Sequence, residues 1–478
     1  MESRTKIVAT LGPASDAPDV LDQLIRAGVD VVRLNLSHGS VDEHLERLGR
    51  VRAAADRTGH VVGILADLPG PKVRAGQLPA DGVWLAEGAL VELYPGESPS
   101  SASELHVDYP TLLTDVHAGD RVVIGDGAIS LRVEEVDHLR VLARVVTGGR
   151  TQGRPGVHLP SERIRLHAPT DDDLRLAGIM AAAGVDFIAV SFVRAAADLR
   201  RVREAVLPHV PRLVAKIETL PAVAALEEIA AEADAVMVAR GDLGIECPLE
   251  DVPHLQKRII RLCVELGVPV ITATQVLESM ITSPAPTRAE VSDIANAVFD
   301  GTDALMLSAE TAIGHDPVAV VETMARTAER AEMEASYSAW SNRLGRMQRR
   351  RWPEGPDRIT MAITHAAGQA AVDAGADAIL CCTRSGRTAE AMARFRPTPK
   401  LIGLSPDPAT VRAMALSWGV TPLQVDTYGS TDELVWFAVE TAVKRRLIHP
   451  GQVVLVLAGA PDRPSGAATD VLRIVRVS

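Results

Sequence analysis

Short runs of β-branched and aliphatic residues recur along the first two thirds of the chain, at 6–11, 31–36, 61–67, 187–193, 213–218, 235–240, 270–274 and 304–308. Between most of them lie stretches rich in Ala, Leu, Glu and Arg whose apolar residues repeat with helical spacing. Few folds accommodate a strand and a helix alternating so many times. Parallel strands need a long crossover, the crossover must cover the sheet, and a closed barrel satisfies every repeat at once. The expected fold class is α/β: a (β/α)8 TIM barrel with an inserted small β lid domain and a C-terminal open-sheet α/β domain.

The rhythm breaks once, between the third and fourth runs, where about ninety residues exceed any ordinary βα loop and must hold a domain. That segment alternates apolar and polar residues at 121–136 and 139–146, the pattern of an antiparallel sheet with one wet face. A second break falls at 331–358, which is polar and basic and includes Arg349-Arg350-Arg351. Beyond it, strands at 378–383, 401–405, 453–458 and 471–477 begin a new alternation. The expected domains are therefore 1–69 with 161–340 as the catalytic barrel, 70–160 as the lid, and 341–478 as a C-terminal regulatory unit.

Bulk chemistry removes several classes of function. A formal charge of −12 argues against nucleic-acid binding or an anionic membrane surface. The first residues, Met1 to Lys6, lead into a strand with no apolar signal region, so a cytoplasmic protein is expected. Cys247, Cys263, Cys381 and Cys382 lack CxxC or His-flanked spacing, which favours buried thiols over a disulfide or zinc framework. Lysine is scarce, limited to Lys6, Lys72, Lys216, Lys257, Lys400 and Lys444, so a lysine inside a motif is not filler.

In a parallel barrel the reactive groups come from the C-terminal ends of the strands. Here those ends are polar while the strand bodies are apolar: Arg33, Asn35 and Ser37 share one face at period two, and Lys216 with Glu218 and Arg240 with Asp242 repeat the spacing. Asp67, Ser191, Thr274 and Ser308 add to the same rim. A lone Lys-x-Glu would read as an interior ion pair. Two neighbouring strand ends of this kind favour a site, with Glu218 and Asp242 as magnesium ligands, room left for substrate oxygens, and Lys216 neutralising a phosphoryl group in flight. Arg33 is either a structural partner of these carboxylates or a phosphate clamp. Thr274, with the backbone amides near Gly241 and Asp242, could hold a small carboxylate if a short helix starts there.

Neither GxxxxGK[ST] nor a strand-borne GxGxxG occurs, so the residues alone name no nucleotide. In the last domain Thr383, Arg384, Ser385, Gly386, Arg387 and Thr388 follow a strand and precede a helix, which suits either a phosphate or an ordinary N-cap.

The chain resembles the pyruvate kinase family over essentially its whole length. The text that carries the resemblance is Thr5-Lys6-Ile7-Val8-Ala9-Thr10-Leu11-Gly12-Pro13, Val32-Arg33-Leu34-Asn35-Leu36-Ser37-His38-Gly39, Ala215-Lys216-Ile217-Glu218, Val238-Ala239-Arg240-Gly241-Asp242-Leu243-Gly244, Ala273-Thr274-Gln275-Val276-Leu277-Glu278-Ser279-Met280 and Pro286-Thr287-Arg288-Ala289-Glu290. It implies phosphoryl transfer from phosphoenolpyruvate to ADP, giving pyruvate and ATP, with Mg2+ or in its place Mn2+. By the same resemblance Arg33 and Lys216 bind the phosphoryl, Glu218 and Asp242 the metal, and Gly241, Asp242 and Thr274 the substrate carboxylate. Asn35, His38 and Arg74 face the nucleotide, and Thr274, Ser308 and water are candidates to protonate the enolate. It further implies a homotetramer with a phosphorylated allosteric effector at the loop from Thr383 to Thr388.

Two departures stand out. Where the family's lid return reads a lysine and then Gly-Val-Asn-Leu-Pro, this chain has Arg154-Pro155-Gly156-Val157-His158-Leu159-Pro160, so the lysine's contact to nucleotide is lost or passed to Arg154, and the loop 459–470 lacks the usual Trp and Thr-Asn. In potassium-requiring relatives a monovalent cation sits among residues matching Asn35, Ser37, Asp67 and Leu68, beside a glutamate. Here Lys72 replaces that glutamate and Leu68 a threonine, so Lys72 is expected to act as an internal cation and potassium to be dispensable. An enolpyruvate mutase or lyase would share the barrel and the metal, but the lid and the segment from Arg33 to His38 count against it. A phosphate sensor with a dead barrel would have lost Lys216, Glu218 or Asp242.

Overall fold

A computed structural model describes residues 3–478 apart from 126, 128, 162–163, 165–166, 338–339, 341–343, 345–355, 428–429 and 460–467. The chain lays down β1 (Lys6–Thr10), β2 (Val31–Asn35) and β3 (Gly63–Asp67), then leaves for a lid with β4 (Val83–Leu85), β5 (Leu90–Pro95), β6 (Glu104–Val107), β7 (Arg121–Ile124), β8 (Ile129–Val136), β9 (Val141–Thr147), β10 (Gly149–Thr151) and β11 (Val157–His158). It returns for β12 (Phe187–Val190), β13 (Arg212–Ile217), β14 (Ala235–Ala239), β15 (Val270–Ala273) and β16 (Ala304–Leu307). A closed parallel barrel results in the order β1-β16-β15-β14-β13-β12-β3-β2. Its strands are buried on both faces, inward against each other and outward under the helices, which is why they read as unbroken apolar runs.

All the barrel strands except β3 stop one residue or more before the runs do. Glu218, Thr274 and Ser308 lie just past their strands, and residues 36–38 form a turn closed by the His38 amide on the Asn35 carbonyl. At Arg240 the chain has already entered the helix Arg240–Glu246. The period-two argument therefore holds for Arg33 and Asn35 and fails for Ser37, Glu218 and Arg240 with Asp242, because alternation ends where the ladder ends.

The floor of the barrel is held by repeated aspartates. Asp30 accepts the Ile7 amide at 2.9 Å, Asp186 that of Ile64 at 2.8 Å, Asp234 that of Leu213 at 2.8 Å and Asp303 that of Val270 at 2.9 Å. Each carboxylate sits just before one strand and binds the neighbouring strand, so alternate seams are stapled in register. Asp377 does the same for Val453 in the last domain. A left-handed glycine two residues earlier turns the chain out of the preceding helix at Gly28, Gly184, Gly301 and Gly375.

The lid has its own core and a six-stranded sheet, order β11-β7-β8-β9-β5-β6, beside the pair β10-β4. It is not purely antiparallel as expected: β5 and β6 run parallel, since residues 96–103 carry the chain back along the sheet before the next strand starts. The C-terminal sheet is β19-β18-β17-β20-β21, from β17 (Ala378–Cys382), β18 (Lys400–Ser405), β19 (Val420–Gln424), β20 (Val453–Ala458) and β21 (Val471–Arg476). β19 was not foreseen, because Pro422 interrupts its apolar pattern; as an edge strand it tolerates the missing amide. β21 closes the other edge antiparallel.

One apolar core continues from the barrel helices into the C-terminal unit. Arg396, 1% exposed, pairs with Asp303 at 2.8 Å, and Arg412 pairs with Asp186 at 2.7 Å, so the last domain docks on the stapled floor. All four cysteines are free and buried. Among the described residues no helix is long and apolar enough to cross a membrane. The basic stretch around Arg349-Arg350-Arg351 lies outside the described residues.

Candidate active site

A cleft of about 940 Å³ opens between the C-terminal rim of the barrel and the lid. Arg33, Asn35, Ser37, His38, Asp67, Leu68, Lys72, Arg74, Lys216, Glu218, Gly241, Asp242, Thr274 and Ser308 all line it, and Arg154 faces them from the lid. Sequence-distant residues are brought together because each stands at the end of a strand or on the loop that follows.

The centre of the cleft floor is a compact ion network. Arg33 reaches Asp67 through Nε at 2.7 Å and through its terminal nitrogen at 2.7 Å, and it donates to the Thr10 hydroxyl at 3.0 Å. The Lys216 ammonium lies 3.2 Å from Asp67, 2.8 Å from Glu218 and 2.7 Å from the Ser191 hydroxyl. The Ser191 hydroxyl in turn donates a hydrogen bond to the Leu68 carbonyl at 2.7 Å. Burial would lift Asp67, yet Lys216 and Arg33 hold its carboxyl below the ordinary range. Burial likewise opposes charge on Lys216, and Asp67 with Glu218 overcome it and keep the ammonium firmly protonated.

Glu218 behaves differently. Burial, reinforced by the charge of Asp242, pushes its carboxyl up to about 7 against the pull of Lys216 and the Phe192 amide, which donates at 2.7 Å. A buried carboxylate facing a second one is short of positive charge. Hard oxygen donors of this kind suit magnesium, with substrate oxygens completing the shell. Among the described residues no cluster of three or more His, Cys, Asp or Glu is poised to hold a metal by itself.

Beside this network β14 runs directly into the helix Arg240–Glu246, the short helix that a carboxylate site requires. The Gly241 amide donates to Thr274 Oγ1 at 2.8 Å, and that hydroxyl donates to the Ala273 carbonyl at 2.7 Å. Thr274 and Gln275 are both left-handed, with φ of 66° and 53°. Arg240 makes the turn tenable: it collects the Thr274 carbonyl at 2.7 Å and the Gln275 carbonyl at 3.2 Å while paired with Asp293 at 2.6 Å. It is a buried support, not a member of the cleft wall. Ser308 reaches the wall from the end of β16, its amide fixed on Glu310 at 2.6 Å.

On the lid side Arg74 pairs in β fashion with Gly156, and Arg154 Nε donates to the Ala75 carbonyl at 3.4 Å. Lys72 reaches solvent, and among the described residues it has no ion pair. Packed protein around its stem, with Arg74 and Lys216 nearby, lowers its pKa. Burial together with Lys72, Arg74 and Arg33 lowers that of His38.

The residues from Thr383 to Thr388 lie elsewhere, against the barrel floor. The Ser385 carbonyl accepts from Arg212, the first residue of β13, which also pairs with Glu390 at 3.1 Å. Gly386, φ 83°, opens the helix Arg387–Ala393, and the Thr388 hydroxyl meets that of Thr469 at 2.6 Å. Of the loop 459–470, residues 460–467 lie outside the described residues. The sequence reading missed the parts played by Thr10, Arg240 and the Phe192 amide; a backbone donor leaves no signal in a sequence, whereas Arg240 could have been suspected from being an arginine directly before a glycine at a strand end.

Family models match the chain in two stretches, "Pyruvate kinase, barrel domain" over residues 2–321 and "Pyruvate kinase, alpha/beta domain" over residues 361–475. Among curated relatives, a pyruvate kinase of Geobacillus stearothermophilus is 40% identical over 485 residues, covering 100% of this chain and 81% of its own. One from Methylorubrum extorquens is 41% identical over 475 residues, covering 99% of this chain and 98% of its own. One from Mycobacterium tuberculosis is 38% identical over 480 residues, covering 100% and 99%.

Proposed function

The chain belongs to the pyruvate kinase family, which makes it a phosphotransferase of glycolysis, and from that premise we propose how its rim moves a phosphoryl group from phosphoenolpyruvate to ADP. The observation that carries the proposal is the Lys216 ammonium, fixed between Asp67 and Glu218 beside the Arg33 guanidinium on the floor of the cleft. Arg33 and Lys216 hold the phosphoryl oxygens, and Lys216 follows the charge that builds on them in transit. Asp67 keeps both cations aimed. The helix start at Gly241 and Asp242, with the Thr274 hydroxyl, takes the substrate carboxylate. Glu218 and Asp242 would hold magnesium, or manganese in its place, which when bound would supply a Lewis acid at the cleft floor. The candidates to deliver the proton that completes pyruvate are Thr274, Ser308 and water.

Asn35, His38 and Arg74 face ADP, and the contact that the family's lid lysine makes is either lost or passed to Arg154. Lys72 stands in for a monovalent cation in the pocket of Asn35, Ser37, Asp67 and Leu68, so potassium is dispensable. The enzyme is cytoplasmic and tetrameric, the domain limits lie near 69, 160 and 340, and a phosphorylated effector binds from Thr383 to Thr388. The decisive assay supplies phosphoenolpyruvate with ADP and magnesium together or one at a time. Pyruvate is expected only when both are present; equal formation without ADP would reassign the chain to a phosphatase or lyase.

A further inference from the structure

The turn Ser37-His38-Gly39 is held from below by the helix Val41–Thr58. Gly39 has φ +82°, and a Cβ there would lie 2.7 Å from Glu43 Oε2 and 3.6 Å from His44 Nε2, so the turn is pressed onto the first turn of that helix. A capping box between Ser40 and Glu43 fixes the helix start, and Arg47 anchors it to Asp16 at 2.9 Å. His44, only 3% exposed, points its Nε2 at the His38 carbonyl across 2.7 Å. A carbonyl oxygen only accepts, so Nε2 carries the proton and donates. Nδ1 is buried with no partner among the described residues, and burial, which outweighs the bond to the His38 carbonyl, lowers the pKa of the ring.

A buried imidazole with one nitrogen unsatisfied is a poor core residue, and an aliphatic side chain would fill the space at lower cost. The single bond it does make is aimed at His38. We propose that His44, which does not line the cleft, is a positioning residue for the nucleotide: its Nε2–H fixes the turn that presents His38 to ADP. The inference rests on the reading that His38 faces ADP, and the experiment separates the two.

Steady-state kinetics with ADP varied at saturating phosphoenolpyruvate, and the reverse, are measured for His44→Leu, His44→Gln and His38→Ala. His44→Leu is expected to raise the KM for ADP about fivefold, the equivalent of one lost hydrogen bond, with kcat and the KM for phosphoenolpyruvate nearly unchanged. His44→Gln, whose amide N–H reaches the same carbonyl, should return the KM for ADP toward that of the parent. His44→Asn, polar but too short to reach it, repeats the test should the leucine variant not fold. Equal behaviour of the Gln variant and the short ones, or both KM values moving together, overturns the proposal. An effect of His38→Ala on ADP without any effect of His44→Leu or His44→Asn also overturns it, while the His38 reading survives. No effect of His38→Ala on ADP overturns both.

Discussion

The two ends of the barrel use the same residue types to opposite ends. On the floor, each carboxylate is saturated: Asp186 takes the Ile64 amide, Arg52 and Arg412, and Asp303 takes the Val270 amide and Arg396. At the rim the balance is left open. Glu218 and Asp242 repel one another across the cleft, and Lys72 has no ion pair among the described residues. Buried carboxylates paired with cations of the chain describe a joint, whereas a buried carboxylate opposed by a second one, beside a lysine with no ion pair among the described residues, describes a place prepared for a charged ligand.

The sharpest way to break this comparison is to cut a saturated pair. Asp303→Ala leaves the Arg396 guanidinium buried without its carboxylate and is expected to cost about 3–5 kcal/mol of stability in urea denaturation. The kcat of the enzyme that remains folded should change little, and a large loss of kcat at unchanged stability would erase the distinction. At the rim, Lys216→Ala should do the reverse, lowering kcat about a hundredfold or more, ~2.7 kcal/mol of barrier. A near-normal kcat would remove Lys216 from the chemistry.

The open balance also predicts an ion requirement that one residue controls. Turnover at saturating magnesium, in buffer free of potassium, sodium and ammonium, is expected to lie within about twofold of turnover with potassium added. Lys72→Glu should create a potassium requirement. Strong activation of the parent enzyme by potassium would show that the fixed ammonium does not replace the mobile cation.

The smallest effect concerns Glu218. Burial above all, then Asp242, raises its carboxyl from an ordinary 4.5 to about 7, so the folded state holds that proton more tightly than the unfolded chain does. Ionising it therefore costs stability, progressively as pH climbs from about 4.5 through 7. Glu218→Gln is expected to raise the Tm of the metal-free enzyme by a few degrees at pH 8, with the gain fading toward pH 5. A drop in Tm at pH 8 would place Glu218 with the saturated pairs of the floor.

The apolar strand bodies and their polar ends were legible because a doubly buried strand must be apolar and a strand end at the open rim need not be. Less legible was where each ladder stops. That point decides that Asp242 faces the cleft while Arg240 turns beneath it. β19 was hidden by Pro422 and the parallel pair β5 and β6 by their alternation, which is the same for either strand direction. Three of the four floor aspartates, and Asp377 of the last domain, were written in the sequence as Gly28-Val29-Asp30, Gly184-Val185-Asp186, Gly301-Thr302-Asp303 and Gly375-Ala376-Asp377, a helix stop followed by a carboxylate before an apolar run. The Arg33 side chain divides its bonds between Asp67 and Thr10, so the choice between structural partner and phosphate clamp was open at the level of sequence, and the geometry has it pointing into the cleft with its partner already in hand.

The lid's place in the chain carries a consequence for how the barrel comes into being. β3 and β12 are neighbours in space, but the whole lid lies between them, so this seam closes a loop of roughly a hundred residues where the other seams between successive barrel strands close only one or two helices. Loop-closure entropy grows only slowly with length, about 0.6 kcal/mol per doubling, and the lid reduces even that. Val157 donates to the Val73 carbonyl, and Arg74 pairs with Gly156, so the lid's two ends meet within its own fold. A lid that folds first delivers both stems of the chain side by side, and Asp186 then has only to find the Ile64 amide. The insertion thus tethers the seam that it interrupts.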